Sequence, residues 1–222
     1  MDLSTMKSLR QIWTFAGFIL LPFLAFTQKR VGDLTIIYNS TITNAQDSAK
    51  KINSTTSHFL KGNLSRSETN SSMFSSTTIY DSKSGSGVIL REVNGQKLLI
   101  RMNEENWNQK NKRYQNLNFT RTGETKTIAG YSCSQAKAST GDGFEITVYY
   151  TRDLVPENKA YDPPFKNLDG LPLEYEMTRG NLHIRYTLAS INLNPVPASK
   201  FDIPVKGYRE LTYEESLKMK SP

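Results

Sequence analysis

The stretch Leu182-His183-Ile184-Arg185-Tyr186-Thr187-Leu188 alternates without interruption: Leu182, Ile184, Tyr186 and Leu188 fall on one side of an extended chain, and His183, Arg185 and Thr187 fall on the other. Successive side chains of a strand point to opposite faces, so a period of two describes a strand with one buried and one wetted face. Just upstream, Leu173, Tyr175 and Met177 alternate with Glu174 and Glu176, and Arg179-Gly180-Asn181 separates the two runs. Two alternating runs joined by a short glycine-bearing turn read as a β-hairpin.

The same pattern extends in both directions. Phe144, Ile146, Val148 and Tyr150 alternate with Glu145, Thr147 and Tyr149, and Leu98, Ile100 and Met102 alternate with Lys97, Leu99 and Arg101. Asn94-Gly95 marks a second hairpin, between Val88–Val93 and Lys97–Met102. Further strands are predicted over Asp33–Thr43, His58–Glu68, Met73–Asp81, Asn116–Arg121, Ile128–Lys137 and Gly207–Thr212, giving about ten. Helix is predicted only for Asn44–Asn53 and Asn103–Tyr114, both short, polar and without a wide apolar stripe. Pro156–Leu171 and Asn194–Pro204 are rich in turn residues and read as loops. The predicted fold class is mainly β: a single curved antiparallel sheet, a half-barrel, with few short helices.

The amino terminus sets the expected compartment. Lys7 and Arg10 precede an apolar run from Ile12 to Phe26, and Ala25 and Thr27 place small residues before Gln28. A basic segment, an apolar segment and a small-residue cleavage site form a secretory signal peptide, predicted here as residues 1–27. The run is shorter than the roughly 20 residues that span a bilayer, and Pro22 interrupts it. Residues 28–222 are then one domain, and the expected location is the periplasm. The formal charge of +7 falls to about +6 after cleavage, but lysine and arginine are scattered, which describes a solvated surface. Cys133 is the only cysteine, so no intramolecular disulfide forms. It lies well inside the mature chain and cannot be a lipoprotein's acylated first residue.

No catalytic constellation stands out. His58 and His183 have no Cys, His or Asp companion at ligand spacing, which speaks against a zinc site. Ser84-Gly85-Ser86-Gly87 lacks the spacing of a nucleophile elbow and reads as a tight turn. Cys133 reads as a buried, inert thiol. The pairs Glu174/Glu176 and Glu104/Glu105 fit the wet faces of a strand and a short helix better than a glycosidase pair. The five Asn-x-Ser/Thr sequons, at Asn39, Asn53, Asn63, Asn70 and Asn118, are expected by chance in a chain this rich in Asn, Ser and Thr. Aromatics lack the basic interleaving of a nucleic-acid platform.

Three strings carry a family resemblance: Lys126 to Ala136 (KTIAGYSCSQA), Val148 to Asp153 (VYYTRD) and Leu168 to Glu176 (LDGLPLEYE). They resemble exported families of unknown function from Gram-negative bacteria, including the GLPGLI group, although Gly170-Leu-Pro-Leu173 lacks that string's second glycine. Those families are in turn similar to the outer-membrane lipoprotein carrier fold. The resemblance implies a half-open sheet whose concave apolar face is covered by short helices or loops and can hold an acyl chain. The expected hydrophobic groove is Leu98, Ile100, Met102, Phe144, Ile146, Val148, Leu182, Ile184 and Tyr186.

The leading expectation is a non-catalytic periplasmic protein that binds a lipid, a lipoprotein acyl chain or another hydrophobic ligand in that groove. No catalytic residue, metal or cofactor is expected, and no nucleic acid. The first alternative is an envelope interaction module, with a protein partner, whose concave face is filled by its own loops, Pro156–Leu171 foremost. An envelope hydrolase ranks last.

Overall fold

A computed structural model describes residues 28–204 and 206–219. The predicted signal peptide, residues 1–27, lies outside the described residues. In chain order the elements are β1 (Lys29–Val31), β2 (Asp33–Asn44), β3 (Asp47–Lys61), β4 (Leu64–Ser71), β5 (Phe74–Asp81), β6 (Ser86–Val93), β7 (Gln96–Met102) and α1 (Glu104–Asn111). They continue with β8 (Thr120–Ile128), β9 (Tyr131–Ser139), β10 (Phe144–Thr151), β11 (Leu154–Pro156), β12 (Leu171–Arg179), β13 (Leu182–Asn192), β14 (Arg209–Leu211) and α2 (Tyr213–Lys218).

Twelve strands make one sheet, in the order β14-β7-β6-β5-β4-β3-β2-β13-β12-β10-β9-β8, curved but not closed. Every neighbouring pair is antiparallel except β14 with β7. The remaining two strands, β1 and β11, form a separate parallel pair. The mainly β class and the single curved sheet are therefore as the alternation predicts.

Several boundaries differ from those predicted. Asn44–Asn53 is not a helix: it forms the end of β2, a tight turn and the start of β3, with Thr41 opposite Asn53 and Ile42 opposite Ile52. Asn44, Gln46, Asp47, Lys51 and Asn53 are exposed at this strand end, where alternation carries little signal. His58–Glu68 is not one strand, because the chain reverses at Gly62-Asn63, with Gly62 at φ +54°. The loop Pro156–Leu171 contains two short 3-10 turns, Lys159–Tyr161 and Pro163–Phe165. The C-terminal helix α2 has no counterpart among the predicted elements, although Thr212 and Glu215 form a reciprocal capping box that the sequence displays. The predicted helix near Asn103 is present as α1, capped by Asn103 and Asn106.

Directly opposed residues of an antiparallel pair share a face, so the register lays out the inner face as rows. One row runs Ile36, His58, Ser67, Thr78, Ile89, Ile100, and the next Tyr38, Thr56, Thr69, Ser76, Arg91, Leu98. A third runs Val148, Tyr175, Tyr186, Ser40, Ser54, Ser71. The outer limbs are apolar, whereas the middle strands β3 to β5 carry hydroxyls.

Two cores sit on the inner face. The larger joins Leu34, Ile36, Tyr38 and Leu60 to Ile146, Val148, Tyr175 and the loop residues Tyr161, Phe165 and Leu168. The smaller joins Tyr80, Ile89, Ile100 and Met102 to Trp107, Leu211 and Tyr213, with Tyr80 and Trp107 stacked at 3.9 Å. On the outer face the segment after β13 folds back, seating Val196 and Phe201 against Ile79. Gly170, where the loop enters β12, has φ +154°, and a Cβ there would lie 2.1 Å from the Thr151 carbonyl oxygen. The glycine of the Gly-Leu-Pro-Leu string is thus required by close backbone approach.

Candidate functional site

All nine predicted groove residues lie on strands whose register places them on the inner face, but in two groups. Phe144, Ile146 and Val148 on β10 connect through β12 to Leu182, Ile184 and Tyr186 on β13. Leu98, Ile100 and Met102 lie on β7, which five intervening strands separate from β13, about 29 Å along the sheet at the usual strand spacing. Ile100 and Met102 are buried beneath Trp107, Leu211 and Tyr213, and Leu98 is half-buried beside them. Phe144, Ile146 and Val148 are also buried, Tyr186 and Ile184 half-buried, and Leu182 exposed.

The loop Pro156–Leu171 fills the space between. Phe165 packs edge-on to Tyr175 at 4.7 Å, Tyr175 stacks on Tyr186 at 4.3 Å and meets Tyr38 at 5.4 Å, and Tyr161 meets the His58 ring at 5.4 Å. The loop is tied down by Asn158, whose side chain donates to the Asn63 carbonyl, and by Asn167, which donates to the Gln115 and Leu117 carbonyls. It is a plug of aromatic side chains seated in the concave face.

Beneath the plug lies a polar cluster that sequence reading did not assemble. His58 Nδ1 is 2.7 Å from Ser67 Oγ, and His58 Nε2 is 3.9 Å from Asp162 Oδ2. The side chains of His58 and Asp162 are only 7% and 12% exposed. His58 Nε2 and the Tyr161 hydroxyl are buried with no hydrogen-bond partner. Burial lowers the His58 pKa to about 4, and burial raises that of Asp162 to about 7 against the opposing pull of Lys110. Burial therefore keeps His58 neutral at neutral pH and leaves Asp162 only about half ionised there. His58 stands alone in the sequence because its partners come from β4 and from a distant loop. No local spacing could have found them.

Ser67, His58 and Asp162 are the residue types of a nucleophile, base and orienting acid. Ser67, however, lies mid-strand between β3 and β5, whose ladders take up the neighbouring backbone N–H groups that an oxyanion hole needs. The 3.9 Å separation also exceeds hydrogen-bond range.

The other candidates fall where the sequence put them. Ser84 and Ser86 face each other at 2.7 Å in the β5–β6 turn, with Gly85 at φ +69°. Cys133 is buried, and burial pushes its thiol up to about 11. Glu174 pairs with Lys126 at 2.9 Å and Arg185 at 3.4 Å, and Glu176 pairs with Arg185 and His183, each at 3.3 Å. Glu104 and Glu105 open α1. Among the described residues no cluster of three or more His, Cys, Asp or Glu could hold a metal, and no helix is long and apolar enough to cross a membrane.

Part of the concave face stays open. A cleft of about 80 Å³ lies between Tyr80, Trp107, Tyr114 and Pro163, well below the roughly 300–1,000 Å³ of a typical ligand pocket. Toward the β4–β5 turn, the inner face presents Thr69, Ser76 and Thr78, half-buried, with Arg91 exposed beside them.

Comparison with known proteins adds a family. The model of the family described as "Domain of unknown function (DUF4412)" matches residues 42–161, which include the Lys126–Ala136 and Val148–Asp153 strings and stop short of Gly170. None of the curated proteins matches the chain. Among solved structures, PNGF-II in its P21 crystal form is 16% identical, with a TM-score of 0.49 over 85% of this chain and 33% of that one. This chain thus spans about a third of PNGF-II. An uncharacterized conserved protein from Thermus thermophilus is 8% identical, with a TM-score of 0.48 over 79% of this chain and 90% of that one. A putative outer membrane lipoprotein-sorting protein domain from Vibrio parahaemolyticus is 10% identical, with a TM-score of 0.37 over 77% of this chain and 89% of that one.

Proposed function

We propose that this chain, which belongs to the DUF4412 family, is an exported, non-catalytic interaction module of the cell envelope whose apolar groove is filled from within. The observation that carries this reading is the burial of Tyr161, Phe165 and Leu168 against Ile146, Val148 and Tyr175, where an acyl chain would otherwise lie. Export rests on the Lys7 to Thr27 pattern, which supports a periplasmic location. A non-catalytic role is supported by the absence of free oxyanion donors at Ser67, and by a His58 whose pKa near 4 makes it a weak base at neutral pH. The partner of such a module is another envelope protein.

A second reading, a carrier of a lipid or lipoprotein acyl chain, is favoured by one observation: the plug fits imperfectly. The Tyr161 hydroxyl and His58 Nε2 are buried without partners, and an unsatisfied buried polar group costs about 1–3 kcal/mol. An acyl chain displacing Phe165 from Tyr175 would contribute about 0.8 kcal/mol per buried CH2. The resemblance to the GLPGLI group and the lipoprotein carrier fold agrees with this reading.

Native mass spectrometry of protein purified from its own periplasm separates the two. The interaction module predicts the mass of the chain from Gln28 onward with no small molecule attached. A co-purifying acyl species in fixed ratio would overturn it in favour of the carrier.

A further inference from the structure

The cleft of about 80 Å³ at the edge of the plug has a lining that the filled groove does not explain. Its walls come from segments far apart in the chain: Tyr80 from β5, Trp107 from α1, Tyr114 from the turn that follows, and Pro163 from the plug. Tyr80 and Trp107 are buried and stacked at 3.9 Å with their planes 11° apart, which fixes that wall. Asn111 is buried in the lining, where its Nδ2 donates to the Trp107 carbonyl at 2.9 Å, and Asn108 and Gln115 add two exposed carboxamides. Lys166 lines the cleft from the plug side, and Lys110 Nζ lies 5.6 Å from the centre of the Trp107 ring. Among the described residues neither ammonium has a carboxylate within 4 Å. Glu104 and Glu105 stand in the first turn of α1, at the far end of the helix from Lys110, and Asp162 of the plug is turned inward to within 3.9 Å of His58. The result is an aromatic slot with a rim of amides and unpaired positive charge.

The size of the slot selects the occupant. A cavity of about 150 Å³ takes one benzene ring, so a slot of about half that volume takes roughly three or four heavy atoms. That is too small for a whole metabolite or lipid and matches the end of one aliphatic side chain. We propose that this cleft is the anchor pocket for an extended acidic segment of the envelope partner, with one leucine-sized side chain inserted between Trp107 and Pro163. Lys110 and Lys166 meet carboxylates that flank the anchor, and Asn108, Asn111 and Gln115, each with donor and acceptor, meet the backbone N–H and C=O groups of the segment. One buried anchor ringed by polar contacts is the form that binding energy takes at many protein interfaces. The inference rests on the interaction-module reading and adds to it the chemistry of the partner.

Trp107 is the single tryptophan from Gln28 onward and stands in the wall of the cleft, which supplies an optical readout. The test titrates the chain from Gln28 onward, to millimolar concentration, with an acetylated and amidated pentapeptide of serine, glutamate, leucine, glutamate and serine, following tryptophan fluorescence and binding heat. Two control peptides replace the leucine by glycine or both glutamates by lysine. The expected result is saturable binding of the first peptide that weakens as salt is raised. The glycine peptide should bind at least about tenfold more weakly, because the buried carbons are lost. The double variant Lys110→Gln/Lys166→Gln should bind the first peptide about fivefold more weakly at an unchanged melting temperature, since both side chains are exposed. No saturable response, equal affinity for the glycine or the lysine peptide, or full affinity in the folded double variant would overturn the proposal. Its failure is distinct from failure of the module reading: a co-purifying acyl species removes the module and its partner together, whereas a ligand-free chain that ignores every peptide removes the anchor pocket alone.

Discussion

Asp162 and His58 illustrate how far one residue's chemistry depends on what the fold brings beside it. In the folded chain His58 titrates near 4 instead of 6.5, and Asp162 near 7 instead of 3.8. A lowered histidine pKa means that the unfolded chain binds the extra proton, so this group adds stability as pH rises from about 4 to 6.5. A raised carboxyl pKa means that the folded chain holds the extra proton, so this group removes stability as pH rises from about 4 to 7. The two slopes oppose one another over nearly the same window, and the wild-type pair contributes little net pH dependence there. Single substitutions should unmask each slope in urea melts. Asp162→Asn should gain on the order of 3 kcal/mol between pH 4 and 6.5. His58→Gln should lose a similar amount between pH 4 and 7. Parallel pH profiles for wild type and both variants would show that the pair is not buried as described.

At the scale of elements, the hairpins show which turns a sequence announces. Asn94 and Gly95 have φ of +51° and +77°, the pair of left-handed residues that a two-residue turn between twisted strands requires, and asparagine and glycine advertise it. Ala129 and Gly130 adopt the same conformation, at φ +50° and +84°, between β8 and β9. Alanine gives no such signal, which is why the strand predicted from Ile128 runs through the turn, whereas β8 in fact continues to Ile128 and β9 begins only at Tyr131. An alanine Cβ in the left-handed region costs roughly 1–2 kcal/mol. Ala129→Asn is therefore expected to stabilise the protein by about 1 kcal/mol and raise its Tm by about 2–4 °C, measured by calorimetry. An unchanged or lower Tm would place the strain elsewhere. The hairpin Leu173–Leu188 is legible because alternation and a glycine turn agree. The turn at Gly62-Asn63 carries the glycine–asparagine pair of a tight turn in the sequence, and reading His58–Glu68 as one strand overlooked it.

Across the whole molecule, stability is concentrated on one limb of the sheet. β2 is paired along its length on both sides and contributes Leu34, Ile36 and Tyr38 to the larger core, each fully buried. β8 is an edge strand, exposed over most of its residues and interrupted in register between Arg121 and Thr125. Such a bulge at an edge also discourages pairing with another chain. Hydrogen exchange should find the amides of β2 and β12 slowest, opening only with global unfolding, and those of β8 and β14 fastest. Equal protection of β8 and β2 would mean that the sheet edge is covered in solution.

Residue order alone carries the class of fold and the facing of the clearest strands. Alternation is a local property, enforced residue by residue by the strand's own geometry, so Ile146, Val148, Ile184 and Ile100 could be assigned an inner face before any contact was known. It also announced the tight turns at Asn94-Gly95 and Gly180-Asn181, where glycine separates two clearly alternating runs. It took the tertiary structure to divide those apolar residues between two separate cores, and to seat Tyr161 and Phe165 of a proline-rich loop in the larger of them. The same holds for Ser67, His58 and Asp162. These groupings depend on which strands become neighbours and on where a loop returns to the sheet. That is set by the total free energy of burying apolar surface across the chain, and no local pattern of residues records it.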